Sequence, residues 1–323
     1  MKKNRAAHIR IEDREPGFPY SKGLMAGQVM VTGLSPFRSY QVAERVEEIL
    51  IDRGKTAITS KELADLATEV LDEVAGERYA KNFVRWQRVA ELDVPIVALI
   101  GGATGVGKST IATQMAARLG IVRVVPTDAV REVMRALFSR ELMPTLYTSS
   151  FDAASALREP PPRAADQTVV GFREQTAAVA VGIRGLIERA AVEGTSTIIE
   201  GAHVVPGFLD VPSFEERVLI VPLVVIVEDE ELHRTHFVAR SADSAARPME
   251  RYASGFANIR KVQKYIKSQA LSHNWPVVRN YNLDQALSAV IDLVVERATQ
   301  RAERAGPRPS DAHVIELEGG KAG

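Results

Sequence analysis

The segment from Val94 to Gly120 constrains this chain most. An apolar run, Val94 to Ile100, is followed by Gly102-Ala103-Thr104-Gly105-Val106-Gly107-Lys108-Ser109 and then by an amphipathic stretch, Lys108 to Leu119, that Gly120 ends. The middle piece matches G-x-x-x-x-G-K-[ST], and its setting matters as much as the match. A buried strand, a glycine-rich turn and a helix in that order form an anion cradle. Glycines let successive backbone N–H groups curl toward a phosphate, and the helix N-terminus adds its partial positive charge. On this reading Lys108 reaches the β- and γ-phosphates of a nucleotide, and the Ser109 hydroxyl faces Mg²⁺. Gly102, Ala103, Thr104, Gly105, Val106, Gly107, Lys108, Ser109 and Thr110 are the nucleotide-binding candidates. A tight strand-to-helix turn that merely contains these residues is the alternative.

A phosphate loop requires a parallel sheet around it, and the pattern from about residue 92 to residue 303 supplies one. Strands are expected at 94–100, 121–125, 195–199, 221–227 and 277–279. Helices are expected at 108–119, 128–138 (with Thr127 as its cap), 170–192, 230–240, 257–271 and 284–303. Apolar strands alternating with helices give a doubly wound parallel sheet covered on both faces. Residues 1–91 read as a small helical module: Val42, Val46, Leu50 and Ile51 share one helical face. Thr59 and Glu62 form a capping box before a second helix, and Tyr79, Phe83, Trp86 and Val89 mark a third. Residues 304–323, rich in glycine and proline, read as a disordered tail.

Further candidates sit at strand ends. Asp128 follows the second strand of this region, where an acid borders the ligand crevice and is placed to take a proton from an attacking hydroxyl. A dipole-favoured acid in the first helical turn is the competing reading. Arg131 and Arg135 are four apart on one helix face, suited to a phosphate or carboxylate or simply solvated. Glu200 ends the next strand, in the position that holds Mg²⁺ or its water. His203 is a substrate-contact candidate, or a hydrogen-bonded structural histidine. The segment from Glu231 to Ala270 carries eight Lys/Arg against three acids, a net +5. Its polar middle, Ser241 to Pro248, reads as the loop of a lid, with Arg240 and Arg247 stabilising charge on a transferring phosphoryl group.

Composition removes several function classes. Lys+Arg and Asp+Glu both number 41, so a general nucleic-acid binder or a polybasic membrane-surface protein is disfavoured. The absence of cysteine excludes thiol nucleophiles, disulfides and cysteine-ligated metals. The longest apolar run, Val218 to Val227, is far below the ~20 residues of a membrane span. No apolar stretch follows the basic start, so no secretory signal is read, and a cytoplasmic enzyme is expected. Oligomeric state is not legible.

Taken together, these motifs resemble those of the 2-phosphoglycerate kinases. The family's loop stands here as Gly101 to Thr110, and its Thr-Asp pair and following Arg-Glu and Met-Arg as Thr127, Asp128, Arg131, Glu132, Met134 and Arg135. Its Ile-Ile-Glu-Gly-x-His-x-x-Pro-Gly segment stands as Ile198 to Gly207. Later features stand as His233 or His236, Arg240, Arg247, Tyr252, Phe256, and Ile259 to Tyr265. Pro19-Tyr20-Ser21-Lys22-Gly23 is similar to the entry of an ATP-cone, a small helical regulatory module. The resemblance implies an ATP- and Mg²⁺-dependent kinase converting 2-phosphoglycerate to 2,3-bisphosphoglycerate at the 3-hydroxyl. Its partner is then a small phosphorylated metabolite. A kinase for another hydroxylated acceptor, such as an inositol phosphate, and an ATP-sensing regulatory protein are the alternatives.

Overall fold

The structure is a computed structural model that describes residues 9–12, 18–89, 92, 94–242 and 249–305. Residues 243–248 of the expected lid loop (with Arg247), the side chain of Arg240 and residues 306–323 of the expected tail lie outside the described residues, while 241–242 and 304–305 are helical.

Five strands form one all-parallel sheet: β4 (Ile96–Gly101), β5 (Arg123–Pro126), β6 (Thr197–Gly201), β7 (Leu219–Ile226) and β8 (Val277–Arg279), in the order β5-β6-β4-β7-β8. Every residue of β4, β6 and β7 is buried, as their apolar runs require of strands covered on both faces. Alternation then sorts the side chains. Ala98, Ile100, Val221 and Leu223 pack with Ile111 and Met115 of α5 (Lys108–Leu119) and with Val290 and Val294 of α10 (Leu283–Ala305). Val97, Leu99 and Ile199 face Val179, Ile183 and Ile187 of α7 (Gln167–Glu193). Each of these buried Val, Leu, Ile and Met side chains contributes about 1.5–3 kcal/mol of burial free energy.

Pro222 breaks the sequence pattern of β7 but not the strand. Leu219 donates its N–H toward β4, to Pro95, and Val224 donates toward β8, to Pro276. Alternation therefore points the ring nitrogen of Pro222 toward β8. That strand pairs only with Val224 to Ile226, so no ladder bond is lost.

The sheet order places the crevice. β5 and β6 lie to one side of β4, and β7 and β8 to the other. Chain connections thus diverge at the carboxyl ends of β4 and β6, where doubly wound sheets bind ligands. α6 (Thr127–Leu137) leaves β5 at this edge. α8 (Glu230–Ala242) and α9 (Met249–Ser272), the helices expected to frame the lid, follow β7.

The N-terminal residues hold a second apolar cluster. It is built by α1 (Lys22–Met30), α2 (Pro36–Asp52), α3 (Ser60–Ala75) and α4 (Glu77–Val89). The capping box forms as read: Thr59 Oγ1 accepts from Glu62 N, and the Glu62 carboxylate accepts from Thr59 N. Two features exceed the sequence reading: helix α1, and a three-stranded sheet of two-residue strands, β1 (Arg10–Ile11), β2 (Phe18–Pro19) and β3 (Ala57–Ile58). Trp86 and Leu119 touch both clusters, and Asp292 of α10 accepts from Arg78 (2.6 Å) and Asn82 (3.0 Å) of α4.

No helix among the described residues is long and apolar enough to cross a membrane.

Candidate active site

The glycine-rich turn sits where the crevice opens. β4 ends at Gly101 and α5 begins at Lys108, so residues 102–107 form the whole connection. Gly107 has φ +88°, and a Cβ there would lie 2.3 Å from Asn280 Nδ2. Conformation and contact both demand glycine. Lys108 is buried and donates from Nζ to Ala103 O at 2.7 Å, which folds its side chain back across the turn.

Ser109 and Glu200 meet across two elements. The Ser109 hydroxyl donates to Glu200 Oε1 at 2.8 Å, and Glu200 is only 6% exposed. The β4–β6 register explains the meeting: Gly101 pairs with Gly201 and Ile100 with Glu200, so the two strands end level beneath the loop. A hydroxyl and a carboxylate oxygen are hard donors of the kind Mg²⁺ takes, completed by phosphate oxygens and water. Among the described residues no group of three or more His, Asp or Glu forms an all-protein metal cage.

A cavity of about 640 Å³ opens over this pair. Lys108, Ser109, Glu200, Asp128 and Arg131 line it, together with Ser149, Ser150, Phe151, Ala202 and Tyr252. Asp128 stands in the first turn of α6 with its side chain 73% exposed. Arg131 is 14% exposed and lies 3.9 Å from Asp128 Oδ1. Its guanidinium donates to Thr148 O and to Glu132 Oε1.

Other candidates are placed elsewhere. Arg135 is not among the cavity-lining residues; it donates to Glu132 Oε2 at 2.7 Å and lies 5.0 Å from the centre of the Tyr147 ring. Thr110 is exposed on α5 beyond the cavity wall. His203 is fully buried, with both ring nitrogens engaged: Nε2 donates to Gln175 Oε1 and Nδ1 accepts from Thr127 Oγ1, each at 2.9 Å. A ring enclosed in this way has no free nitrogen for a substrate, so His203 stands behind the site, where it joins α6, α7 and the β6 turn. Burial pulls its pKa down to about 4, with Arg131 and Lys108 adding to the fall and Asp128 opposing it. Thr127 is likewise not the helix cap: Pro126 occupies the cap position, and the Thr127 hydroxyl serves His203. Gly201 makes room for it, since a Cβ there would meet Thr127 Oγ1 at 1.8 Å at φ +153°.

Sequence reasoning missed part of this lining. Residues 138–166 contain 3₁₀ turns at Pro144–Tyr147 and Ala153–Ala156, which present Ser149, Ser150 and Phe151 to the cavity. No periodicity marks such turns. Gln175 left a signal, a polar residue amid the apolar face of a long helix. It donates through Nε2 to Thr145 O and Thr148 O, tying these turns to α7.

A parallel sheet, a glycine loop opening into a helix, and a lysine, hydroxyl and strand-end carboxylate beside one cavity are the features of the phosphate-loop class. No family model matches the chain. Whole-chain comparison is decisive instead. The 2-phosphoglycerate kinase of Methanopyrus kandleri is 38% identical over 291 residues, covering 88% of this chain and 86% of the relative. That of Methanothermobacter thermautotrophicus is 37% identical over 289 residues (88% and 93%), and that of Pyrococcus horikoshii 37% identical over 283 residues (87% and 91%). The chain belongs to the 2-phosphoglycerate kinase family.

Proposed function

We propose that this chain transfers the γ-phosphoryl group of ATP to the 3-hydroxyl of 2-phosphoglycerate, giving 2,3-bisphosphoglycerate. One observation carries the chemistry: Lys108, the Ser109–Glu200 pair and Arg131 converge on one cavity at the strand ends. Phosphoryl transfer needs positioning and electrostatic stabilisation more than covalent help, and these groups supply both.

Residues 102–109 cradle the ATP phosphates, with Lys108 swinging from Ala103 O onto the β- and γ-phosphates. Ser109 and Glu200 hold Mg²⁺, which when bound neutralises charge on those phosphates. Asp128 orients the acceptor hydroxyl and accepts its proton. Arg131, fixed by Thr148 O and Glu132, meets the carboxylate or phosphate of the acceptor. Arg240 and Arg247 of the lid are assigned to charge stabilisation, and residues 1–91 to a module separate from the kinase domain of 92–303. Membership of the family and the cavity-lining Arg131 both support the acceptor.

ADP release tests the reading against 2-phosphoglycerate, 3-phosphoglycerate, glycerate and inositol phosphates. Turnover with 2-phosphoglycerate above the others is the expected result. Turnover confined to another acceptor overturns the substrate and leaves the kinase.

A further inference from the structure

Three consecutive carbonyls of the glycine-rich turn each accept a hydrogen bond from a side chain outside the turn. His233 Nε2 donates to Thr104 O, His236 Nδ1 to Gly105 O and Asn280 Nδ2 to Val106 O, each at 2.9 Å. A carbonyl only accepts, so each ring nitrogen facing it carries a proton. The donors come from two elements: both histidines lie one turn apart on α8, and Asn280 follows β8.

The consequence follows from peptide geometry. In a trans peptide the C=O of one residue and the N–H of the next point in opposite directions. Fixing the carbonyls of Thr104, Gly105 and Val106 outward therefore aims the N–H groups of Gly105, Val106 and Gly107 inward. Those N–H groups form the cradle. Glycine at 105 and 107 leaves these peptide planes free to rotate, so something beyond the turn must choose their direction.

The braces are themselves held. Arg260 faces His233 Nδ1 at 3.3 Å and donates to Val227 O and Glu228 O. With a guanidinium on one side and a carbonyl on the other, the ring is neutral with its proton on Nε2. Burial and the Arg260 charge lower its pKa to about 4. Asn280 is buried and its own N–H donates to Ile226 O.

We propose that His233, His236 and Asn280 are positioning residues for phosphoryl transfer, which preset three backbone N–H donors toward the ATP phosphates. The proposal rests on residues 101–110 being the phosphate loop. A preset donor costs no reorganisation when the ligand arrives, which is why orientation has value here.

Steady-state kinetics of the full chain tests it. His233→Leu and His236→Leu each raise the KM for ATP about tenfold, the worth of one neutral hydrogen bond. Because the donors serve ground and transition state alike, kcat falls less than KM rises, and the KM for 2-phosphoglycerate stays within about twofold. His233→Gln and His236→Asn place an amide N–H where each ring nitrogen stood, and bring the KM for ATP back to within about threefold of wild type. Asn280→Asp, nearly isosteric, sets an acceptor against the Val106 carbonyl and raises it most. A merely structural role would lower the melting temperature with no such split and no amide rescue. Unchanged KM for ATP in Asn280→Asp, or equal damage from the Leu and amide replacements, overturns the proposal. If a leucine variant fails to fold, Asn280→Asp decides. Lys108→Ala separates the two readings: wild-type turnover there removes the phosphate loop itself, whereas an inactive Lys108→Ala beside wild-type-like histidine variants removes only the bracing.

Discussion

The Ser109 hydroxyl lies 2.8 Å from Glu200 Oε1 and so joins the first turn of α5 to the end of β6. Two residues 91 positions apart in the chain thereby present adjacent oxygens to one cavity. Ser109→Ala removes the first oxygen and Glu200→Gln the negative charge on the second, without changing size greatly. Each variant is expected to lose about 10²-fold or more in kcat, as removal of a transition-state electrostatic contact does. The Mg²⁺ concentration for half-maximal activity rises in both. Wild-type Mg²⁺ dependence in either variant removes that residue from the cation site.

The two arginines of α6 are expected to differ. Arg131 lines the cavity, whereas Arg135 is held against Tyr147 and Glu132. Arg131→Ala raises the KM for 2-phosphoglycerate about 10–100-fold, the loss of a charge-assisted contact, and leaves the KM for ATP near wild type. Arg135→Ala leaves both KM values near wild type and lowers the melting temperature modestly. A larger acceptor effect at Arg135 than at Arg131 would reverse the assignment.

Gly201 shows how closely the site floor is packed. An alanine Cβ meets Thr127 Oγ1 at 1.8 Å and must also adopt φ +153°. Gly201→Ala is expected to cost about 2–4 kcal/mol of stability, measured by urea unfolding. Thr127→Ala removes the hydroxyl in question and relieves part of that cost in the double variant. Strict additivity of the two substitutions contradicts the contact.

The buried histidines set a pH dependence. His203 and His233 both have pKa values lowered to about 4 in the folded chain, against an ordinary 6.5. Between these values the unfolded chain binds more protons than the folded one, so stability is complete above pH 6.5 and falls as pH drops toward 4. Urea unfolding across this window should show that fall, and His203→Gln should flatten it in part while His233 supplies the remainder. The same slope in wild type and variant contradicts the assignment.

Much of the frame was legible because its signals are local. α5 spans Lys108–Leu119 as the amphipathic stretch read, with Gly120 at φ +65° as its stop. β8, Val277–Arg279, matches its short apolar run. α1 was not legible: Lys22–Met30 contains two glycines, and packing of Val29 and Met25 into the N-terminal cluster decides its helicity rather than propensity. The two-residue strands β1 to β3 are too short to carry a period of two. Lys108, Ser109 and Glu200 could be singled out as candidates because chemistry ties their types to strand and helix ends, and the three line one cavity. His203 was read with two possible roles, and only its burial among Thr127 and Gln175 separates them. The braces on the turn arise from residues 129–174 positions away, a distance at which sequence pattern carries no geometry.

The most direct test of the account follows the product itself. Phosphorus NMR of the wild-type chain with Mg²⁺, ATP and 2-phosphoglycerate should show 2,3-bisphosphoglycerate and ADP growing in equal amounts. The Lys108→Ala variant, with an unchanged circular dichroism spectrum, should form neither. Bisphosphoglycerate formation by Lys108→Ala at the wild-type rate, or ADP released by the wild type with no bisphosphoglycerate, would contradict it.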